Sequence, residues 1–318
     1  MNRVSVIAQC FNHDAYLEEC LDSIQAQTYQ DFDLIIIDDH STDSSVQLIR
    51  SWLQSRQPTR VRFIPLTKNL GVVRCLNRAM NYANSELICA VATDDRWDKR
   101  YLEIVTHRLD QLPASYAGVF TNATCINEQG KSHGKDFVSM YHHGEVDKNS
   151  LFETLCDHNF IPASSMMLRR SVLSKIGPYD EALAYEDWDM WLRISLDYQL
   201  EYIPECLIDY RIVGSSLIRT LRPENTPHAP DYLATHCIMA LKLLQAGRLS
   251  RVNRAKWKRI LRHSCFELIK IGDKRYKAFL LFAIFEVKDI RLTLYWVIYK
   301  LRLLSTLRAI RRIFSRIH

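Results

Sequence analysis

The sequence predicts an α/β fold: a mostly parallel central sheet flanked by helices, with a basic helical C-terminal extension. Three observations carry this prediction. Apolar runs and amphipathic stretches alternate at the period of strand–helix units from about residue 1 to residue 112. The run FDLIIIDD at 32–39 lacks polar alternation, as expected of a strand covered by helices on both faces. Two of the apolar runs end in adjacent carboxylates, Asp38–Asp39 and Asp94–Asp95, at strand-to-helix junctions.

The elements follow in order. RVSVIAQCF (3–11) reads as a buried first strand. Asp14 is placed to cap a helix whose Leu17, Leu21 and Ile24 share one face. After the second strand, HSTDSSVQLIRSWL opens with capping residues and sets Val46, Ile49 and Leu53 on one side. VRFIPL (61–66) is a short third strand, and NLGVVRCLNRAMNYA carries Val72, Leu76, Ala79 and Ala83 at helical spacing. ELICAVAT (86–93) is the fourth strand, and DKRYLEIVTHRLDQL the fourth helix.

Beyond residue 112 the pattern loosens. A strand and a turn at Glu128–Lys131 precede a polar stretch, 131–150, that reads as a loop. Its histidines, His133, His142 and His143, are too scattered for a metal cage. ASSMMLRRSVLSKIG is a strand running into a helix that stops at Gly177–Pro178. YEDWDMWLRISLDY is helical, and LEYIPECLIDYRI suggests short strands. Residues 213–230 form a polar, proline-bearing loop, and the remainder turns helical.

With 318 residues, 47% of them hydrophobic, the chain can hold one large domain and an appendage. Nine cysteines without a CxxC pair fit reduced, buried thiols in a cytosolic compartment better than a disulfide scaffold or a zinc site. The N-terminal apolar run is too short for a signal-peptide core, and no stretch reaches the ~20 apolar residues that span a bilayer. The net charge of +6 is uneven: from Lys242 onward 20 basic residues face 4 acidic ones, whereas residues 1–241 carry 22 against 32. The two parts are expected to meet different partners.

In open α/β sheets ligands bind beyond the carboxyl ends of the strands, where both acidic pairs fall. Clustered carboxylates repel one another, and a divalent cation with a nucleoside diphosphate would offset that cost. By composition and spacing alone, acids that cap helices or face solvent are the simpler reading of the same pairs. Asp39 reads either as a base or ribose contact or as a pin for the loop before Ser41. The Asn69–Gly71 turn could approach a ligand through its backbone, and Arg74 and Arg78 either hold phosphate or face solvent. GxGxxG, GxxxxGK[ST] and GxSxG are all absent, which removes the glycine chemistry of dinucleotide, P-loop and hydrolase sites.

The stretches VSVIAQCFNHDAYLEECLDSIQAQTYQDFDLIIIDDHSTDSS, NLGVVRCLNRAM, ATDDRW, SSMMLRRSVLSKIGPYDEALAYEDWDMWLRI and YRIVGSS, in that order, resemble the family 2 glycosyltransferases of GT-A fold over about residues 3–217. The resemblance implies transfer of a sugar, with inversion, from a nucleotide-diphosphate donor, UDP-linked by preference, to an acceptor hydroxyl in glycan or surface-polysaccharide assembly. It implies Mg²⁺ or Mn²⁺ on Asp95, with Asp94 beside the ribose, diphosphate or sugar. Asp39, with Asp38 near it, would contact the nucleobase. Asp187 of EDWD would be the catalytic base, with Trp188, Trp191 and Arg193 on the helix after it, and Arg211 would lie near the diphosphate. From the residues alone, Glu186 and Asp187 suit a helix N-terminus better than a base. Two positions depart from the family pattern: Ala92 stands where an acid is common, and Val213 replaces the usual histidine. A catalytically weakened nucleotide-sugar-binding protein is therefore the same-fold alternative, and a membrane-surface scaffold the non-enzymatic one. No QxxRW motif occurs, which favours one sugar per encounter.

This places the catalytic domain at 1–222, with a nucleotide-binding half (1–112) and an acceptor half (113–222), and the extension at 223–318. Asn159, Pro162 and Ser164 are expected to border the acceptor cleft. In the tail, Arg302, Arg308, Arg311, Arg312 and Arg316 alternate with Leu303, Leu307, Ile310 and Phe314. That pattern suits an anionic membrane surface, and a packed or oligomeric helix is the alternative. The expected partners are the donor, a glycan or lipid-linked glycan acceptor and the inner face of the cell membrane, with the protein cytoplasmic and peripheral. No nucleic-acid module accompanies the basic tail, so nucleic acid is not expected.

Overall fold

The computed structural model describes residues 2–214 and 229–285. The chain divides into two units, Met1–Ser216 and Leu217–His318. The tail positions named above, and Pro223 and Pro227 of the polar loop, lie outside the described residues.

In the first unit β1 (Val4–Cys10) lies between two parallel neighbours, β2 (Phe32–Asp38) and β4 (Leu87–Ala92). β3 (Val61–Pro65) is parallel on the far side of β2. In this register Cys10 pairs with Asp38, and Gln9 with Ala92. The carboxyl ends of three strands therefore open at one edge, where the chain switches sides of β1. β8 (Met167–Arg169) continues the sheet antiparallel to β4 and to β6 (Tyr116–Ile126). A side chain at Gly118 would collide with the Met167 carbonyl, so this close approach requires glycine. β9 (Gln199–Arg211) runs parallel to β6, and the two-residue β5 (Arg96–Trp97) pairs antiparallel with β9. The sheet is thus mixed, with a parallel first half.

Helices α1 (Leu17–Gln25), α2 (Ser45–Arg56), α3 (Val72–Met80) and α4 (Tyr101–Asp110) follow β1, β2, β3 and β5. Leu17, Cys20, Leu21 and Ile24 of α1 are buried at helical spacing. With Trp52, Leu102 and Val105 they share a core with Val4, Val6, Leu34 and Leu87. Each fully buried aliphatic side chain there contributes about 1.5–3 kcal/mol.

Several expectations are corrected. Asp14 does not cap α1, whose N-cap is Tyr16. Its carboxylate instead accepts from the Ser44 amide before α2, at 3.3 Å. On α2 the buried face centres on Ile49 and Trp52, with Val46 and Leu53 half-buried. The Trp52 indole both fills the core and donates to Asp22 of α1 at 2.8 Å, which sets the helix rotation. The stretch 131–150 is not one loop: β7 (Ser132–Asp136) returns on β6 as a hairpin, and α5 (Phe137–Tyr141) follows. Asp136 caps α5 by accepting from the Ser139 amide. Gln199–Arg211 forms one long strand rather than several, since register shifts against β6 absorb its irregularity.

Two shorter helices, α6 (Leu151–Asp157) and α7 (Arg170–Ile176), precede α8 (Asp187–Ser195). The second unit holds α9 (Ala229–Ala246), α10 (Arg251–Ile271) and α11 (Tyr276–Phe285). Trp257, Leu261, Cys265 and Leu268 form the buried stripe of α10, and Gly272 ends it in the left-handed conformation that a C-terminal cap needs. All nine cysteines are free thiols, and Cys206 alone of them is exposed. No helix among the described residues is long and apolar enough to cross a membrane.

Candidate active site

Asp38 closes β2 and ties the loop behind it: its carboxylate accepts from the Ser41 amide at 2.9 Å and the Ser41 hydroxyl at 2.5 Å. Asp39 accepts from the Leu70 and Gly71 amides at 2.7 and 2.8 Å. Burial raises its proton affinity, and these two amide donors oppose the rise. Asn69 donates to the Asp39 carbonyl at 3.2 Å. Gly71 sits at φ 82°, which lets its amide turn toward the acid. Asp38 and Asp39 thus brace two loops that border the strand ends. Arg74 is largely exposed and pairs with Glu181 at 3.5 Å.

At the end of β4 the two acids differ. Asp95 is buried and accepts from the Ser164 hydroxyl at 2.6 Å and the Arg211 amide at 2.9 Å. Burial, and then the charge of Asp94, push its proton affinity well up. The Asp94 carboxylate is more open, and His13 Nε2 stands 3.9 Å from it. The His13 Nδ1 atom lies 3.0 Å from Thr93 Oγ1. A carboxylate pair in which one charge opposes the other suits a hard divalent cation whose remaining positions go to diphosphate oxygens and water. Among the described residues no group of three or more His, Cys, Asp or Glu side chains could hold a metal.

Arg211, at the end of β9, is 2% exposed. Pairing of β5 with β9 brings it to the acids. Its guanidinium donates to the Asp94 carbonyl at 2.8 Å, to the Asn127 and Glu128 carbonyls at 3.2 and 3.1 Å, and to Glu19 at 2.5 Å. It also stacks on Tyr16, 4.5 Å from the ring centre. This arginine joins α1, the Asp94 turn and the β6–β7 hairpin.

Asp187 begins α8, with Glu186 as N-cap residue. One oxygen accepts from the Asn159 side-chain amide and the other from the Trp188 backbone amide, each at 2.7 Å. Burial raises the proton affinity of Asp187; these donors pull it down. Burial and the Asp187 charge likewise raise Glu186. Arg193 is spent on structure, binding Asp189 and the Ile176 and Pro178 carbonyls at 2.8–3.0 Å.

Tyr210 relates the two acidic groups. Burial raises its phenol's proton affinity well above the ordinary range, and the charges of Asp95, Asp94 and Asp187 all add to the rise. The segment 159–164 links the two acidic groups by hydrogen bonds, Asn159 to Asp187 at 2.7 Å and Ser164 to Asp95 at 2.6 Å, although Asp95 and Asp187 lie ninety-two positions apart in sequence. Sequence reasoning missed His13, Tyr16, Glu19 and Tyr210. His13 alone left a signal: it follows the carboxyl end of β1, as Asp38 and Asp94 do at theirs. Asn159 and Ser164, expected beside the acceptor, each bind one of the acids.

A family model described as glycosyl transferase family 2 matches residues 5–177. An uncharacterised glycosyltransferase of Methanocaldococcus jannaschii is 31% identical over 66% of this chain and 70% of its own length. An O-antigen biosynthesis glycosyltransferase of Escherichia coli is 27% identical over 68% and 82%. Alignments with several other curated relatives span about two thirds of those proteins' length. Among solved structures, S. aureus TarS 1–349 in complex with UDP-GlcNAc superposes with a TM-score of 0.61 at 18% identity, covering 88% of this chain and 75% of that one. The mannosyltransferase PcManGT from Pyrobaculum calidifontis, in complex with GDP-Man and Mn²⁺, gives 0.53 at 15%, covering 92% and 83%.

Proposed function

The chain belongs to glycosyl transferase family 2 and is a glycosyltransferase, and from that premise we propose that it moves a sugar, with inversion, from a nucleotide-diphosphate donor to an acceptor hydroxyl in glycan or surface-polysaccharide assembly. The observation that carries this reading is that one short segment hydrogen-bonds both acidic groups, through Asn159 to Asp187 and through Ser164 to Asp95. Two proteins of the same fold were solved with nucleotide sugars, UDP-GlcNAc in one and GDP-mannose in the other, which supports such a donor here.

Asp187 accepts the acceptor hydroxyl's proton as that oxygen attacks the anomeric carbon and the bond to the diphosphate breaks. Asp94 would make the outward contact to Mg²⁺ or Mn²⁺, with Asp95 behind it. This reading moves the leading role from Asp95 to Asp94, because Asp95 is buried and already engaged by Ser164 and Arg211. When bound, the cation neutralises charge on the leaving diphosphate. The Asp39-braced turn borders the nucleotide. The His142 ring stacks on His158 and Phe160, on either side of Asn159 in the chain, and we assign these rings to the acceptor side.

The acceptor is a glycan or lipid-linked glycan, and the second unit meets an anionic membrane surface. Seven basic residues and one acid on α10 support that docking.

Calorimetry with UDP and Mn²⁺, then a screen of nucleotide sugars for transfer, tests the reading. Binding that needs the metal and weakens in Asp94→Asn is expected, as is loss of about 10²-fold or more of transfer in Asp187→Asn with donor binding kept. Full transfer by Asp187→Asn would remove the base from this mechanism. Donor binding without transfer in the natural chain would mark it as a catalytically weakened family member.

A further inference from the structure

Asp187 has a second residue attached to its role. We propose that Asn159 is a positioning residue that holds the Asp187 carboxylate in a single orientation toward the acceptor hydroxyl. The inference rests on Asp187 being the base.

The geometry is specific. A carboxylate held at one oxygen can still swing. Asp187 is held at both, by the Trp188 amide on Oδ1 and by Asn159 Nδ2 on Oδ2, each at 2.7 Å. The plane of the group is thereby set. Asn159 cannot reverse its amide freely, because its Oδ1 accepts from the Ile161 amide at 3.2 Å. Its NH₂ end is left facing the acid.

The backbone beneath Asn159 is anchored as well. Phe160 and Ile161 are fully buried, and the Ser165 hydroxyl closes a turn onto the Pro162 carbonyl at 2.7 Å. Ser164, in the same turn, donates to Asp95. One short buried segment therefore carries a donor for the base and a donor for the buried acid of the other cluster.

The charge logic agrees with the geometry. Glu186, Tyr179 and Tyr210 lie within electrostatic reach of Asp187, and burial favours the neutral acid. The Trp188 amide and the side-chain amide of Asn159 oppose that trend, and Asn159 is the side chain that does so.

The test needs no substrate. Carboxyl carbons of aspartate are labelled with ¹³C, and the Asp187 resonance is assigned by its loss in Asp187→Asn. Its titration is then followed in the wild-type chain, in Asn159→Ala and in the isosteric Asn159→Asp. The midpoint is expected to rise by about one to two pH units in Asn159→Ala, and further in Asn159→Asp, where a like charge replaces a donor. Thermal unfolding confirms that each variant is folded, and Asn159→Asp serves if the alanine variant is not. An unchanged midpoint in a folded variant overturns the proposal. Because the titration is independent of turnover, it stands or falls apart from the transfer reaction assigned to Asp187.

Discussion

The Ser164 hydroxyl donates to the Asp95 carboxylate across 2.6 Å, inside a site where both groups are buried. The other described donor to Asp95 is the Arg211 backbone amide. A buried acid with two partners is sensitive to the loss of either. Ser164→Ala is therefore expected to cost about 1–3 kcal/mol of stability in urea unfolding. It should also weaken Mn²⁺-dependent UDP binding, since Asp95 would sit more readily in its protonated form. A variant as stable as wild type and binding equally well would show the hydroxyl to be incidental.

The pH dependence follows from Asp187. A base works only when ionised. Burial raises its folded-state proton affinity, so its ionised fraction falls at a higher pH than the about 4 of an exposed aspartate. As pH drops, transfer should decline through a midpoint above that value, while donor binding at the other cluster declines separately. An acid limb at or below the ordinary aspartate range would contradict this account of the base.

Arg211 is expected to behave as a structural residue. Its guanidinium reaches four partners on three segments and stacks on Tyr16. A lysine offers no planar fork. Arg211→Lys should lower stability by about 2 kcal/mol or more, and lower donor affinity only through that loss of order. Denaturation midpoints and calorimetry on the same variant separate the two effects. Unchanged stability with a selective loss of UDP affinity would instead place its charge on the diphosphate.

The basic helix α10 makes a further prediction. It carries Arg251, Arg254, Lys256, Lys258, Arg259, Arg262 and Lys270 against Glu267. Val252 and Ile271, near its two ends, are exposed at 77% and 51%. The chain should sediment with phosphatidylglycerol vesicles at low salt and much less with phosphatidylcholine. Binding should fall as ionic strength rises, because screening shortens the reach of surface charge. Equal affinity for both lipids would exclude an electrostatic membrane contact through this helix.

The strand–helix alternation of residues 1–112 was legible because each element carries its own period: Leu34–Ile37 is the continuous apolar run of a doubly covered strand, and α1 repeats buried residues at 17, 20, 21 and 24. The placement of acids at strand ends was legible for the same local reason. The second half resisted reading where partners override pattern. SHGKD (132–136) has no apolar alternation, and it is a strand only because β6 supplies its hydrogen bonds. The buried face of α2 turned on the Trp52–Asp22 contact, which joins positions thirty residues apart.

The amino-acid order by itself determined the parallel strand–helix units, the carboxylates at their ends and the motifs shared with the family, since these depend on neighbours within a few residues. Tertiary structure alone decided which acid is buried and which is open, that Arg211 faces inward, and that Asn159 and Ser164 each hold a distant carboxylate. The physical reason is that desolvation and hydrogen-bond pairing depend on what lies across space, and those partners are 28 to 116 residues away along the chain.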